Sequence, residues 1–170
     1  VLERVRNLIA AETLGKGIKL HRDYDPSLPA VLADSEKLIQ ALLNILRNSL
    51  QALNSPEIDH QLGEIILRTR ISRNITIASK FYKLAVAVEI IDNGPGIPQE
   101  ISETIFYPMI SGRPDGSGLG LPISHGIVTQ HGGMIECDGK PGKTKFTVTI
   151  PIQRNSQFSN SKVQQVNEVK

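Results

Sequence analysis

Leu84-Ala85-Val86-Ala87-Val88-Glu89-Ile90-Ile91-Asp92-Asn93-Gly94-Pro95-Gly96 is the stretch that decides the architecture. Leu84, Val86, Val88 and Ile90 recur at every second position, the period of a strand with one buried face. Asp92 continues that parity, so its carboxylate is expected to point into a buried layer, where an unpaired charge is costly. Two readings of this residue stand side by side. It is an ordinary strand-to-turn Asp followed by common turn residues, or it is held for a bound hydrogen-bond donor such as the exocyclic amine of adenine. Gly96, the second glycine, favours the latter, because it lets the backbone approach a flat base.

Upstream, Ile65, Leu67, Thr69 and Ile71 share one face of another strand, with Arg68, Arg70 and Ser72 on the other. The two strands are expected to form a hairpin with a long polar connection. Before them, residues 35–53 read as the clearest helix, with Ile39, Leu42, Leu43, Leu46, Leu50 and Leu53 in one apolar stripe. Asn44, Asn48 and Gln51 lie opposite that stripe, either as a solvated face or as amides aimed together at a ligand; an Asn oxygen is an adequate ligand for Mg²⁺. A first helix starts near Leu2 and stops at Gly15-Lys16-Gly17, and residues 18–24 read as a strand. Downstream, a short helix is expected over 99–104, a loop over 106–116 and a helix over 121–130, with Pro122 in its first turn. Residues 134–137 and 144–150 read as a closing hairpin turning at Asp138-Gly139. Gly116-Ser117-Gly118-Leu119-Gly120 stands before the third helix. It reads as a flexible linker, or as free backbone N–H groups that meet phosphate oxygens at a helix N-terminus. The mixture predicts an α+β fold, a two-layer sandwich of helices on a mostly antiparallel sheet.

A length of 170 residues suits one domain, expected over 1–153, with a polar, disordered tail over 154–170. The start at Val1 is expected to reflect a fragment of something longer. The single Cys137 excludes an internal disulfide and agrees with a reducing, cytoplasmic setting. No apolar run approaches the roughly 18 residues of a membrane span, and a net charge of +2 offers no argument for nucleic acid. Three competing motifs fail. Gly142-Lys143-Thr144 has Cys137 where a P-loop needs its first glycine. His21-Arg22-Asp23 lacks the downstream Asn of a protein-kinase catalytic loop. The four histidines and one cysteine have no zinc spacing.

Asn44-x-x-x-Asn48, then Asp92 to Ile97, Ile105-Phe106, Gly116 to Leu121 and Thr144-Lys145-Phe146 resemble, in order, the boxes of the GHKL superfamily. Among its members they are most similar to the catalytic domains of sensor histidine kinases. Asp23 to Pro29, Asn44 to Asn48, and Phe106 to Met109 with Ser111 to Arg113 resemble the nitrogen-regulation branch. The resemblance implies the Bergerat ATP-binding fold, with ATP and Mg²⁺ as ligands. It implies Asn48 as the metal residue, Asn44 as a catalytic residue near the phosphates, and Asp92 on the adenine amine, while Arg113 in the Ser-Gly-Arg-Pro stretch reads either as a solvated loop residue or as a catalytic residue that reaches the terminal phosphate. Gly94, Gly96, Gly116, Gly118, Leu119, Gly120 and Thr144 complete the nucleotide site, with a lid over about 106–118. It also implies three partners: a phosphoacceptor histidine domain of the same protein, an NtrC-type response regulator and a P-II signal protein. The chain departs from the pattern at Gln51, where many kinases carry Lys or Arg. None of His21, His60, His125 and His131 opens a phosphoacceptor motif, so that domain is expected upstream. Two other functions stay open, a GHKL-type ATPase and a nucleotide-sensing docking module. Hydrolysis needs a general base, and Asn44 stands where the ATPases carry Glu.

Overall fold

The computed structural model describes residues 1–13, 16–54, 63–110 and 116–152. In chain order they form α1 (Leu2–Thr13), β1 (Lys19–Asp23), α2 (Ser35–Leu53), β2 (Glu64–Ile77), β3 (Lys80–Asp92), α3 (Gly120–Gln130), β4 (Met134–Lys140) and β5 (Lys143–Pro151). The strands make one five-stranded sheet in the order β1-β2-β3-β5-β4. Only the β1–β2 pair is parallel. The helices pack on one face, giving the expected two-layer sandwich. The predicted tail over 154–170 lies outside the described residues. No helix among the described residues is long and apolar enough to cross a membrane.

Helix α2 organises the buried layer. Asp34 caps its start, accepting the N–H groups of Glu36 and Lys37 at 3.1 Å each. The His131 ring braces this cap from α3: its Nε2 accepts the Asp34 N–H at 3.1 Å, so its Nδ1–H donates to the Ile127 carbonyl at 2.8 Å. Ile39, Leu42, Leu46, Leu50 and Leu53 are buried as expected, but Leu43 is only half-buried. Ala41 and Ile45 are fully buried. The apolar face is wider than one stripe because α2 packs against α3 as well as against the sheet. From the sheet come Ile65, Leu67, Ile90, Phe146, Val148 and Ile150.

The opposite face of the sheet meets water and is crossed by ion pairs. Asp23 lies 2.7 Å from both Arg68 and Arg70, Arg68 is 3.5 Å from Glu89, and Lys145 is 3.9 Å from Glu89. The hydrogen bonds from Arg70 and then Arg68 hold the Asp23 carboxyl below the ordinary carboxylate range.

Three local expectations are corrected. The β2–β3 connection is the two-residue turn Ala78-Ser79, with Ile77 paired to Lys80. Both turn residues have positive φ, 46° and 65°, the backbone that matches strand twist in a tight hairpin. The polar stretch around Arg73 and Asn74 sits within the exposed strand. Residues 99–106 form successive turns, not a helix, with N–H groups reaching back three residues, as in Ile101 to Pro98 and Thr104 to Ile101. The closing hairpin turns at Pro141-Gly142, where Gly142 has φ 78°. Asp138 and Gly139 remain in strand β4, paired to Lys145 and Thr144.

Candidate functional site

Asp92 closes β3 with 2% exposure, facing inward as its parity requires. Its Oδ1 accepts the Gly94 N–H at 3.0 Å, which folds the following turn back onto the strand. Gly94 has no room for a side chain: a Cβ would stand 2.7 Å from Asp92 Oδ1 and 3.4 Å from the Cβ of Ala52 in the last turn of α2. Asn93 holds the other side, its Oδ1 accepting the Glu64 N–H at 2.8 Å. Gly96 requires glycine twice over, with φ 89° and a would-be Cβ 2.7 Å from the Lys140 carbonyl carbon.

Asn44, two turns before Ala52 on α2, touches the second glycine segment. Its Nδ2 donates to the Gly120 carbonyl at 3.2 Å. The Ser124 hydroxyl lies 2.9 Å from that carbonyl and 3.0 Å from that of Ala41, sharing its one proton between them. The first turn of α3 is thereby pinned to α2. Gly118 has φ 63°, and its missing Cβ would lie 2.7 Å from the carbonyl carbon of Met109. The Met109 N–H donates to the Gly118 carbonyl at 3.1 Å, so the two ends of the expected lid are held together. Gly120 is less constrained, since a Cβ there would meet Asn44 Cβ at 3.8 Å, ordinary contact. Leu119 stands at the N-cap of α3 without a side-chain capping bond and is 45% exposed, with Tyr107, Met109 and Ile123 also exposed.

Asn44, Asn48, Gly94 and Gly120 therefore gather along α2. Ala52 borders the glycine turn after Asp92 and Asn44 borders the start of α3, about 12 Å apart along the axis at 1.5 Å per residue. Asn48 lies between them, half-buried, and among the described residues no hydrogen bond engages its side chain. Thr144 is 4% exposed and pairs with Asp92 on one side and Gly139 on the other. Gly116 is exposed. Arg113 lies outside the described residues. Burial, then the carboxylates of Asp92 and Asp138, push the Cys137 thiol up to about 12, which leaves it an inert wall residue. Sequence reasoning missed the roles of Ala52, Ile97, Ser124, Gly139 and Gly142, which depend on contacts across the fold: Ala52 with Gly94, Ile97 with Gly139, Ser124 with Ala41 and Gly142 with Gly94. A cavity of about 360 Å³ between Leu38, Leu42, Val86 and Val148 contains no predicted site residue and is apolar.

Residues 33–154 match the family described as histidine kinase-, DNA gyrase B-, and HSP90-like ATPase. The sensory histidine kinase/phosphatase NtrB of Vibrio alginolyticus is 49% identical over 154 residues, 91% of this chain and 43% of that protein. The chain thus spans about two fifths of the length of the curated relatives it matches. The nucleotide-free catalytic domain of histidine kinase ThkA superposes with a TM-score of 0.71 at 26% identity, covering 88% of this chain and 90% of that one. Full-length ShkA in complex with AMPPNP gives a TM-score of 0.69 at 26% identity, covering 88% of this chain and 29% of that one.

Proposed function

The chain belongs to the histidine kinase-, DNA gyrase B- and HSP90-like ATPase family, and from that premise we propose that it is the ATP-binding catalytic domain of a two-component sensor histidine kinase. It transfers the γ-phosphoryl group of ATP to a histidine on a separate dimerisation domain, in an NtrB-type protein of nitrogen regulation. The observation that carries the reading is at Asn44: this residue is an amide committed to the Gly120 carbonyl. An amide cannot take a proton from water near neutral pH, so the site favours transfer to an external nucleophile over hydrolysis.

In this reading the adenine amine meets Asp92, between the glycine turn and the end of α2, with Thr144 beneath. The phosphates lie toward Asn44, Gly116, Gly118, Leu119 and Gly120 at the start of α3, where the uncapped helix end favours negative charge. Arg113 serves the terminal phosphate. The residues fit Mg²⁺ arriving with its nucleotide. Among the described residues no group of three or more His, Cys, Asp or Glu could hold a metal ion, while the Asn48 amide stands between the two ends of the site. Asn48 would hold the metal together with phosphate oxygens, and the metal would supply neutralising charge there. The partners in this reading are the phosphoacceptor domain of the same protein, an NtrC-type response regulator and a P-II signal protein.

The test supplies Mg-ATP and a separate phosphoacceptor domain to this chain. Labelled phosphoryl should appear on the acceptor histidine. Steady phosphate release without acceptor, at a competent ATPase rate above roughly 1 per second, would instead support the hydrolase reading.

A further inference from the structure

We infer that Gly139 is a positioning residue for base binding, acting through Ile97. The inference rests on the reading of Asp92 as the base acceptor and adds a residue on another strand. Gly139 lies within β4, and its φ is not in the left-handed region that favours glycine, unlike Gly96, Gly118 and Gly142. Backbone conformation therefore does not require glycine there; space does. A Cβ at 139 would stand 2.7 Å from Ile97 Cγ1, 2.8 Å from its Cβ and 3.0 Å from its Cδ1. The side chain of Ile97 occupies the place that a residue at 139 would fill.

Strand register gives this contact its meaning. Gly139 pairs with Thr144, and Thr144 with Asp92. The three positions form one row across β4, β5 and β3, about 10 Å from end to end at the usual strand spacing. Asp92 closes the row at one end and Ile97, seated over Gly139, at the other. Both belong to the same glycine turn, which is held by Asp92 Oδ1 from within and by the hairpin from without. The Gly142 N–H donates to the Gly94 carbonyl at 2.8 Å, and Gly96 backs directly onto Lys140-Pro141. Moving Ile97 thus moves the wall facing Asp92, while the sheet has no reason to change.

Mg-ATP titration of the unmodified chain, Gly139→Ala, Ile97→Ala and the double variant tests this, with melting temperature measured alongside. Gly139→Ala should still fold, with its melting temperature lowered by a few degrees, since the gain of alanine over glycine in a strand only partly offsets the overpacking against Ile97. It should weaken Mg-ATP about tenfold, the scale of overpacking a filled site. Adding Ile97→Ala removes Cγ1 and Cδ1 and leaves only Cβ in conflict, so Gly139→Ala should cost clearly less affinity in the Ile97→Ala background than in the unmodified chain, as coupled neighbours do. Normal affinity in Gly139→Ala, or losses that simply multiply in the double variant, would overturn the role of Gly139 and leave the kinase reading standing. Failure of the unmodified chain to bind Mg-ATP would overturn both, and is visible before any substitution is made.

Discussion

Asp92→Asn separates the two readings of the buried carboxylate, because it keeps the shape of the side chain while removing its charge and turning one oxygen into a donor. Asp92 Oδ1 accepts the Gly94 N–H at 3.0 Å. An asparagine can present its amide oxygen to that N–H and keep the turn, while its NH₂ replaces Oδ2. At 2% exposure the side chain has no solvent to compensate the exchange. The adenine amine would then meet a donor where it had an acceptor. A hydrogen bond to a charged group contributes about 1.5–3 kcal/mol, so Mg-ATP affinity should fall by about 10- to 150-fold. Guanine carries a carbonyl at the corresponding position and gains a donor, so Mg-GTP should lose less than about threefold. Calorimetric titration of both nucleotides into both proteins measures the four constants. The melting temperature of Asp92→Asn should stay within a few degrees of the unmodified chain. An equal loss for ATP and GTP refutes the base-reading role and returns Asp92 to the structural work of holding Gly94. Asp92→Ala is a poorer probe, since it also removes the acceptor for the Gly94 N–H.

Asn48→Ala should leave folding nearly unchanged, because no described hydrogen bond is lost. It should also flatten the Mg²⁺ dependence of ATP affinity, read by titration at several metal concentrations. Gly118→Ala places a Cβ against the Met109 backbone and forces a non-glycine residue to φ 63°. That strain is about 1–2 kcal/mol, so phosphoryl transfer to a supplied acceptor should fall more than ADP binding; the reverse order would deny Gly118 a role in lid closure. Cys137 gives the pH prediction. A thiol raised to about 12 in the fold, against about 8.5 when unfolded, favours the folded state only while neutral. Its contribution is whole below about pH 8.5 and declines as pH rises toward the folded value. Melting temperature should therefore drop more steeply between about pH 8.5 and 10 for the unmodified chain than for Cys137→Ala, and similar slopes would refute the burial argument.

The residues legible in the sequence share one property: their role is set by neighbours close along the chain. Asp92 could be placed inward because parity propagates along a strand from Ile90, and α2 could be drawn because its apolar period is local. The misplaced turns show the same rule from the other side. Ala78-Ser79 carries neither Gly nor Asn, so nothing local announces two positive φ values; the long pairing of β2 with β3 imposes them. Asp138-Gly139 looks like a turn, yet Thr144 and Lys145 pair with it and keep it in the strand. That register also explains why the two ends of the site differ in legibility. The end proposed for the phosphates is a contiguous glycine run at a helix start, and only its tether, Asn44 to Gly120, needs the fold. The end proposed for the base is assembled by a row across three strands, where Gly139 is proposed to matter for an atom it lacks and Ile97 for where it rests. Substitutions at the phosphate end should therefore act mostly alone, while those at the base end should act in pairs. The prediction to measure is the coupling between positions 97 and 139, set against near-additivity between 97 and 118, which share no described contact.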